Sequence, residues 1–346
     1  MKPVIQQSAC ELLVLLRTKK ISSLDLANEY IRQIERLNPF LNALVDFDPD
    51  RVRQQAHAID DSTGKQGPLA GLPVTVKSSI STAGYRCEIG SQVNRGNVPN
   101  KDATVVARLR AAGAVILGTT NCPEYLMAYV TDNLLHGRTN NPWNLDYTPG
   151  GSSGGESAAI AAGMSAGGLG SDSGGSVRVP AHFTGICSLK PTPGRIPGDG
   201  HLPPCIGPFS FLGAIGPMAR TIDDVTLLFQ VLARQDPVDP SSPPVGLRTP
   251  DLDDIKRIPV AYFEDDGLVP VTEKTRQAVQ AAAQAGNTLI GPEVQRWFPA
   301  GRVVFPRAAI LGRLALARTD FAPGEKLEPI YLRETRFVKA PPPRVI

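Results

Sequence analysis

The pattern of hydrophobic and polar positions predicts alternating helices and strands over most of the chain. Ser22-Ser23-Leu24-Asp25 has the form of a helix capping box, and apolar residues follow at helical spacing until Asn38-Pro39 predicts a stop. Residues 102–112 predict a second helix closed by Gly113, and residues 114–118 predict the strand that it feeds. Three further segments predict a small-residue helix, a strand and a helix that ends at Gly286: residues 158–162, 258–263 and 272–285. This alternation is typical of an α/β fold in which helices cover a large sheet.

One short apolar run ends in a lysine. Residues 71–77 read Gly-Leu-Pro-Val-Thr-Val-Lys, a β-branched run entered through turn residues, so we expect Lys77 at or near the end of a buried strand. Taken alone, Lys77 would be interpreted as a strand-end lysine that reaches solvent, because buried unpaired lysines are rare. The alternative is a buried lysine. Burial disfavours the ammonium and can bring the pKa of a lysine to about 7–8, where it serves as a base.

Composition and charge narrow the class of protein. The chain has 346 residues, 42% hydrophobic and 20% charged, which is ordinary globular usage. Its net charge is +3 and its basic residues are scattered, so we expect a small uncharged or mildly anionic substrate and no nucleic-acid partner. The five cysteines lack metal-ligand spacing, so we expect no metal, no cofactor and a reducing, cytoplasmic compartment. No apolar run approaches the roughly 20 residues of a transmembrane segment.

Two glycine-serine loops carry the candidate chemistry. They span residues 149–155 and 170–178, and the second contains Ser176 near its end. Glycines let a backbone turn several N–H groups toward one point, and such an array can hold an oxyanion at about 2.7–3.1 Å. A serine at the end of the array is placed to attack a carbonyl carbon. Arg178 either pairs with Asp172 or holds an anionic substrate group, and we favour the structural pairing.

Two other interpretations of these loops compete with this one. Glycine-serine runs are often flexible linkers, but apolar patterned segments flank both loops. Residues 150–154 also match the G-x-S-x-G turn of α/β-hydrolases, which requires a preceding strand and a later Asp and His. Here Asp146-Tyr147-Thr148-Pro149 precedes the run, and no histidine follows His201. Because none of the four histidines lies in a recognisable partner motif, Lys77 remains the candidate base for a serine nucleophile.

These motifs together resemble the amidase signature family. The run from Pro149 to Pro180 contains Gly-Gly-Ser-Ser-Gly-Gly and Gly-Ser-Asp-Ser-Gly-Gly-Ser, residues 71–77 look like the lysine strand of that family, and the 24-residue spacing from Ser152 to Ser176 agrees with its pattern. The resemblance implies Ser176 as nucleophile, Ser152 as bridging serine after a cis peptide bond, and Lys77 as general base. It also implies an oxyanion hole made by the backbone N–H groups of Ser173, Gly174, Gly175 and Ser176.

The resemblance also implies a fold and an activity. The fold would be a large mixed β-sheet covered by helices on both faces, over residues 1–286 and shortened at its C-terminal end. The activity would be hydrolysis of a linear, non-peptide C–N bond through an acyl-enzyme. Two alternatives stay open: an inactive, amidase-like remnant or binding protein, and an amidotransferase A-type subunit that releases ammonia from glutamine. Ser78 departs from the acidic residue that many members carry after the lysine. The sequence identifies neither substrate-binding residues nor an oligomeric state.

The last part of the chain, residues 287–346, differs in character. It loses the alternation of strands and helices and becomes rich in proline. Residues 297–301, 307–318 and 328–333 resemble the C-terminal end of the dimerisation subunit of the bacterial tRNA threonylcarbamoyladenosine synthesis complex. This resemblance implies a fusion of a shortened amidase with an unrelated tail, without the tRNA-modifying activity of the tail's parent.

Overall fold

The computed structural model describes residues 3–64, 66–205 and 210–247, together with a few isolated positions after residue 247. Its main sheet has six strands in the order β1-β3-β2-β4-β6-β5. The strands are β1 (Leu44–Phe47), β2 (Pro73–Lys77), β3 (Val115–Thr120), β4 (Gly167–Asp172), β5 (Cys187–Ser188) and β6 (Ala214–Ala219). β2 is parallel to both β3 and β4, whereas β1, β6 and β5 join by antiparallel pairing. The predicted mixed α/β sheet is therefore confirmed.

Seven helices accompany this sheet within the described part of the chain. They are α1 (Ala9–Arg17), α2 (Ser23–Leu41), α3 (Pro49–Asp60), α4 (Thr104–Ala111), α5 (Gly154–Ala161), α6 (Arg178–Thr184) and α7 (Ile222–Leu232). Short 3₁₀ turns lie at Val4–Gln6, Gln92–Asn94 and Glu124–Leu126. The predictions for residues 102–112 and 158–162 correspond to α4 and to the second half of α5.

Helix α2 shows both a correct and a wrong prediction. Ser22 caps its N-terminus by accepting a hydrogen bond from the Asp25 N–H at 2.9 Å. The predicted stop at Asn38-Pro39 is wrong, because the helix continues through Pro39 to Leu41. A proline in the last turn removes only one intrahelical N–H, and the helix ends where Asn42 adopts a left-handed conformation with φ of 49°.

The core surrounds the central strands. Every residue of β2, β3, β4 and β6 is buried, and apolar side chains from α1, α2, α4 and α7 pack in the same cluster. Strands buried in this way read as continuous apolar runs without polar alternation, as the segment before Lys77 does. A polar or ionisable group on these strands therefore lies in a region of low dielectric, where it needs partners inside the protein.

Some predicted features lie outside the described residues. These are the strand over 258–263, most of the helix over 272–285, the domain boundary at Gly286 and the tail segments 297–301, 307–318 and 328–333. A second compact unit includes the short parallel pair β7 (Ile290–Gly291) and β8 (Arg302–Val303). Within the described ranges, no helix is both long and apolar enough to cross a membrane.

Candidate active site

Lys77 is the last residue of β2 and is completely buried. Its Nζ lies 2.7 Å from Ser152 Oγ, 3.0 Å from Ser153 Oγ and 3.1 Å from Ser171 Oγ. The strand position is the one that the apolar pattern predicts. The solvent-reaching alternative is wrong, because β3 and β4 pair with β2 on either side and three serine hydroxyls surround the amine.

The surroundings of Lys77 favour its uncharged form. Burial lowers the pKa of its ammonium from 10.5 to about 8. The hydrogen-bond partners of Nζ are serine hydroxyls, which carry no charge. A carboxylate bound directly to Nζ would instead stabilise the ammonium and raise its pKa. At pH 7 about 9% of the amine is therefore uncharged and able to accept a proton, against about 0.03% at the ordinary pKa.

The first glycine-serine loop delivers Ser152 and Ser153 to this amine. The loop precedes α5, and the peptide bond between Gly151 and Ser152 is cis, as the family resemblance implied. Ser153 Oγ also accepts a hydrogen bond from the Ser171 N–H at 3.2 Å, which joins this loop to β4. The two loops that are separated in sequence thus meet at Lys77.

The second glycine-serine loop follows β4 and ends in Ser176. Within the described part of the chain, the N–H groups of Ser173, Gly174 and Ser176 have no hydrogen-bond partner in the protein. The Gly175 N–H, predicted to be a further oxyanion donor, instead donates to Asp172 Oδ1 at 2.8 Å. Gly175 has a φ of 135°, a conformation that side chains with a Cβ rarely adopt, so glycine is required at this position.

An ion pair to a buried carboxylate supports this loop. Arg178 donates to Asp172 through Nε at 3.0 Å and through Nη2 at 2.9 Å, and the Val177 N–H donates to the same carboxylate at 3.0 Å. Burial alone would raise the pKa of Asp172, but Arg178 and the backbone donors hold it below its ordinary value. The structural interpretation of the Asp172–Arg178 pair is thus confirmed.

Ser152 and Ser176 line one cavity. In the described part of the chain, Ser152 Oγ and Ser176 Oγ make no direct hydrogen bond to each other, although both side chains line this cavity. Leu126 and Ala214 contribute apolar surface, and the polar residues of the lining are Ser152, Ser171, Asp172, Ser173, Ser176 and His201.

Three residues of this site were missed at the sequence level. Ser153 and Ser171 were visible only as members of the two loops, because nothing in a glycine-serine run marks which hydroxyl will face an amine on another strand. His201 was set aside for want of a motif, yet it lines the cavity and its Nδ1 lies 2.8 Å from the Pro203 carbonyl oxygen. A carbonyl only accepts, so Nδ1 carries the proton in this contact.

Comparison with known proteins places this site in a family. The amidase family profile matches residues 25–297 of the chain. The chain belongs to the amidase signature family. Its amidase match extends past the boundary predicted at Gly286, to residue 297.

Relatives of this amidase signature chain differ in their reactions. It is 41% identical over 77% of its length to the A subunit of the glutamyl-tRNA(Gln) amidotransferase of a Synechococcus species, covering 53% of that protein. It is 37% identical over 67% of its length to human fatty-acid amide hydrolase 2, covering 46% of that protein. A solved fatty acid amide hydrolase superposes with a TM-score of 0.75 and 31% identity, over 82% of this chain and 51% of the other. The chain thus spans about half the length of the curated relatives it matches.

Proposed function

We propose that this protein hydrolyses a linear, non-peptide amide bond with Ser176 as nucleophile, Ser152 as proton bridge and Lys77 as general base. The observation that carries the proposal is the 2.7 Å contact between Lys77 Nζ and Ser152 Oγ, made by a completely buried lysine. Serine is a weak nucleophile at neutral pH and needs a base, and an uncharged buried amine supplies one.

The proposed reaction proceeds in two halves. Neutral Lys77 accepts the proton of Ser152 while Ser152 accepts that of Ser176, and Ser176 Oγ attacks the amide carbon. The free N–H groups of Ser173, Gly174 and Ser176 would stabilise the oxyanion. The relay then returns the proton to the departing amine, and water hydrolyses the acyl-enzyme by the same route. Hydrogen bonds of catalytic groups often tighten only around substrate, which is how Ser152 and Ser176 would come into contact.

A fluorophosphonate serine probe tests the proposal without knowledge of the substrate. Labelling requires an activated serine and a formed oxyanion hole, so we expect a stoichiometric adduct on Ser176 that is located by peptide mass spectrometry. Ser176→Ala should abolish the adduct, whereas Ser173→Ala, which removes a neighbouring hydroxyl and keeps the backbone N–H, should retain it. Folded protein that stays unlabelled would instead support the inactive or binding-only alternative.

A second candidate is ammonia release from glutamine as an amidotransferase A-type subunit. The 41% identity to the A subunit of an amidotransferase favours it. The two candidates share the chemistry and differ in the acyl group, so a panel of glutamine, short aliphatic amides, aryl amides and long-chain amides separates them. Glutaminase activity that exceeds activity on the other amides would favour the amidotransferase role.

We also propose the two-part organisation, with residues 1–286 as a shortened amidase domain and residues 287–346 as an unrelated tail that adds no tRNA-modifying activity. The motifs at 297–301, 307–318 and 328–333 support it, although the amidase match runs to residue 297. A cytoplasmic location is part of the same proposal, supported by the five free cysteines. Fractionation of the source cells tests the location. The mass of the native protein, compared with the 36.9 kDa of the sequence, tests whether the protein carries the tail.

A further inference from the structure

A second buried ionisable group lies beside Lys77 and is not used in the proposed relay. Glu156 on α5 is completely buried, with Oε1 2.5 Å from Thr75 Oγ1 and Oε2 2.8 Å from Thr120 Oγ1. Thr75 Oγ1 is also 3.0 Å from Ser165 Oγ, and Ser165 Oγ is 2.8 Å from the Gly167 carbonyl oxygen. These contacts form one continuous hydrogen-bonded cluster from Gly167 to Thr120.

A count of protons in this cluster assigns the state of the carboxyl group. The Gly167 carbonyl only accepts, so it takes the single hydroxyl proton of Ser165. The contact between Ser165 and Thr75 then uses the proton of Thr75, and the contact of Thr120 with Oε2 uses that of Thr120. Three hydroxyls cannot supply four contacts, so the 2.5 Å contact between Thr75 and Glu156 needs a proton that Glu156 itself provides.

The position of the cluster links it to the candidate base. Thr75 and Lys77 are two residues apart on β2, so their side chains leave the same face of the sheet. A carboxylate held by Thr75 would place a buried negative charge next to the Lys77 amine and would stabilise its ammonium. A carboxylic acid in the same place would not.

Of the other acidic groups near Lys77, Asp172 remains a buried anion and its charge raises the pKa of the lysine. Asp172 is paired with Arg178 through two hydrogen bonds. Burial raises the pKa of the Cys122 thiol, so it remains uncharged. Glu156 is thus the group whose protonation decides whether a second buried anion acts on the lysine.

Few ionisable groups lie on the elements packed against α5. In the described part of the chain, those on β1, β2, β4 and α6 are Asp46, Lys77, Asp172, Arg178 and His182. The charge of Lys77 is the one that acts on Glu156. Burial raises the pKa of Glu156 to about 8, which agrees with the proton count.

We propose that Glu156 is a neutral carboxylic acid in the folded protein, and that by donating its proton to Thr75 it keeps a negative charge away from Lys77. Glu156 is then a positioning residue, which acts on the reaction only through the lysine. The protonation state stands on the cluster geometry alone, whereas its consequence for catalysis rests on the proposed function.

Infrared spectroscopy tests the protonation state directly. We expect the wild-type protein at pH 7 to show a protonated-carboxyl C=O band that is lost in Glu156→Gln, whose amide reproduces both the donor and the acceptor of the acid. Glu88→Gln is the matched control, because Glu88 is also buried but accepts from the Gly96 N–H and lies 2.8 Å from His136 Nε2. A band common to wild type and Glu156→Gln would overturn the proposal.

Unfolding equilibria give an independent readout. A carboxyl whose pKa is about 8 in the folded protein and 4.5 when unfolded takes up a proton on folding between these pH values. Stability is therefore fully present below pH 4.5 and is lost as pH rises toward 8. From pH 5 to pH 7 the folding constant of wild type should fall about 70-fold relative to Glu156→Gln. If the ratio of the folding constants of wild type and Glu156→Gln does not change with pH, Glu156 is ionised in the folded protein and the proposal is wrong.

A variant outside the carboxyl group covers the case in which Glu156→Gln does not fold. Ser165→Ala removes the acceptor of the Thr75 proton, so Thr75 becomes free to donate to Glu156. The carboxyl C=O band of Ser165→Ala should therefore disappear at a lower pH than the same band in wild type. A band that titrates at the same pH in both proteins would contradict the proton count. These readouts need no turnover. A protein without fluorophosphonate labelling that still shows the band refutes the catalytic proposal and leaves the state of Glu156 established.

Discussion

The pH dependence of serine reactivity provides the most direct check on Lys77. With a pKa of about 8, the uncharged amine should make up about 9% of Lys77 at pH 7 and about 91% at pH 9. The second-order rate constant for fluorophosphonate labelling of Ser176 should therefore rise about tenfold over this range and then level off. An amine at the ordinary pKa of 10.5 would give a rise of about 100-fold, without a plateau by pH 9.

The lowering of the Lys77 pKa from 10.5 to about 8 means that burial disfavours the ammonium by about 3 kcal/mol. Lys77→Met keeps a similar unbranched apolar stem and should lower the rate constant by about 10²–10⁴-fold and flatten its pH dependence. Lys101→Met, at an exposed lysine, is the control and should reproduce the wild-type curve. A rate constant that keeps rising past pH 9 in wild type, or that is unaffected by Lys77→Met, would refute the role of the buried amine as base.

Three further predictions follow from the same structure. Ser152→Ala should reduce the labelling rate of Ser176 by about 10²–10⁴-fold, because it removes the hydroxyl between the base and the nucleophile. Gly168→Ala should lower the urea midpoint by an amount equivalent to about 3 kcal/mol, because its Cβ would come within 2.3 Å of the Thr75 carbonyl oxygen. Burial lowers the pKa of His201 from 6.5 to about 4, so in urea unfolding the stability of wild type relative to His201→Gln should fall by about 1.6 kcal/mol from pH 6.5 to pH 5. The comparison between the two proteins removes the opposite contribution of Glu156, which both contain.

The local features of this protein are those that its sequence already determined. Ser22 and Asp25 cap α2 because capping involves groups only three residues apart, and the β-branched run before Lys77 forms a buried strand. The glycines of the second loop are required by its backbone, as the φ of 135° at Gly175 shows. Residues close in sequence carry such information because the interactions involved are short in range.

Only the tertiary structure decided what those features do together. The pairing of β2 with β3 and β4 buried Lys77, which the sequence already predicted as the candidate base, and brought Ser152, Ser153 and Ser171 to its amine. The same packing directed the Gly175 N–H to Asp172 and placed Glu156 against Thr75. Electrostatic and hydrogen-bonding states depend on burial and on partners up to 94 residues away, as in the contact of Lys77 with Ser171, and no local pattern encodes these.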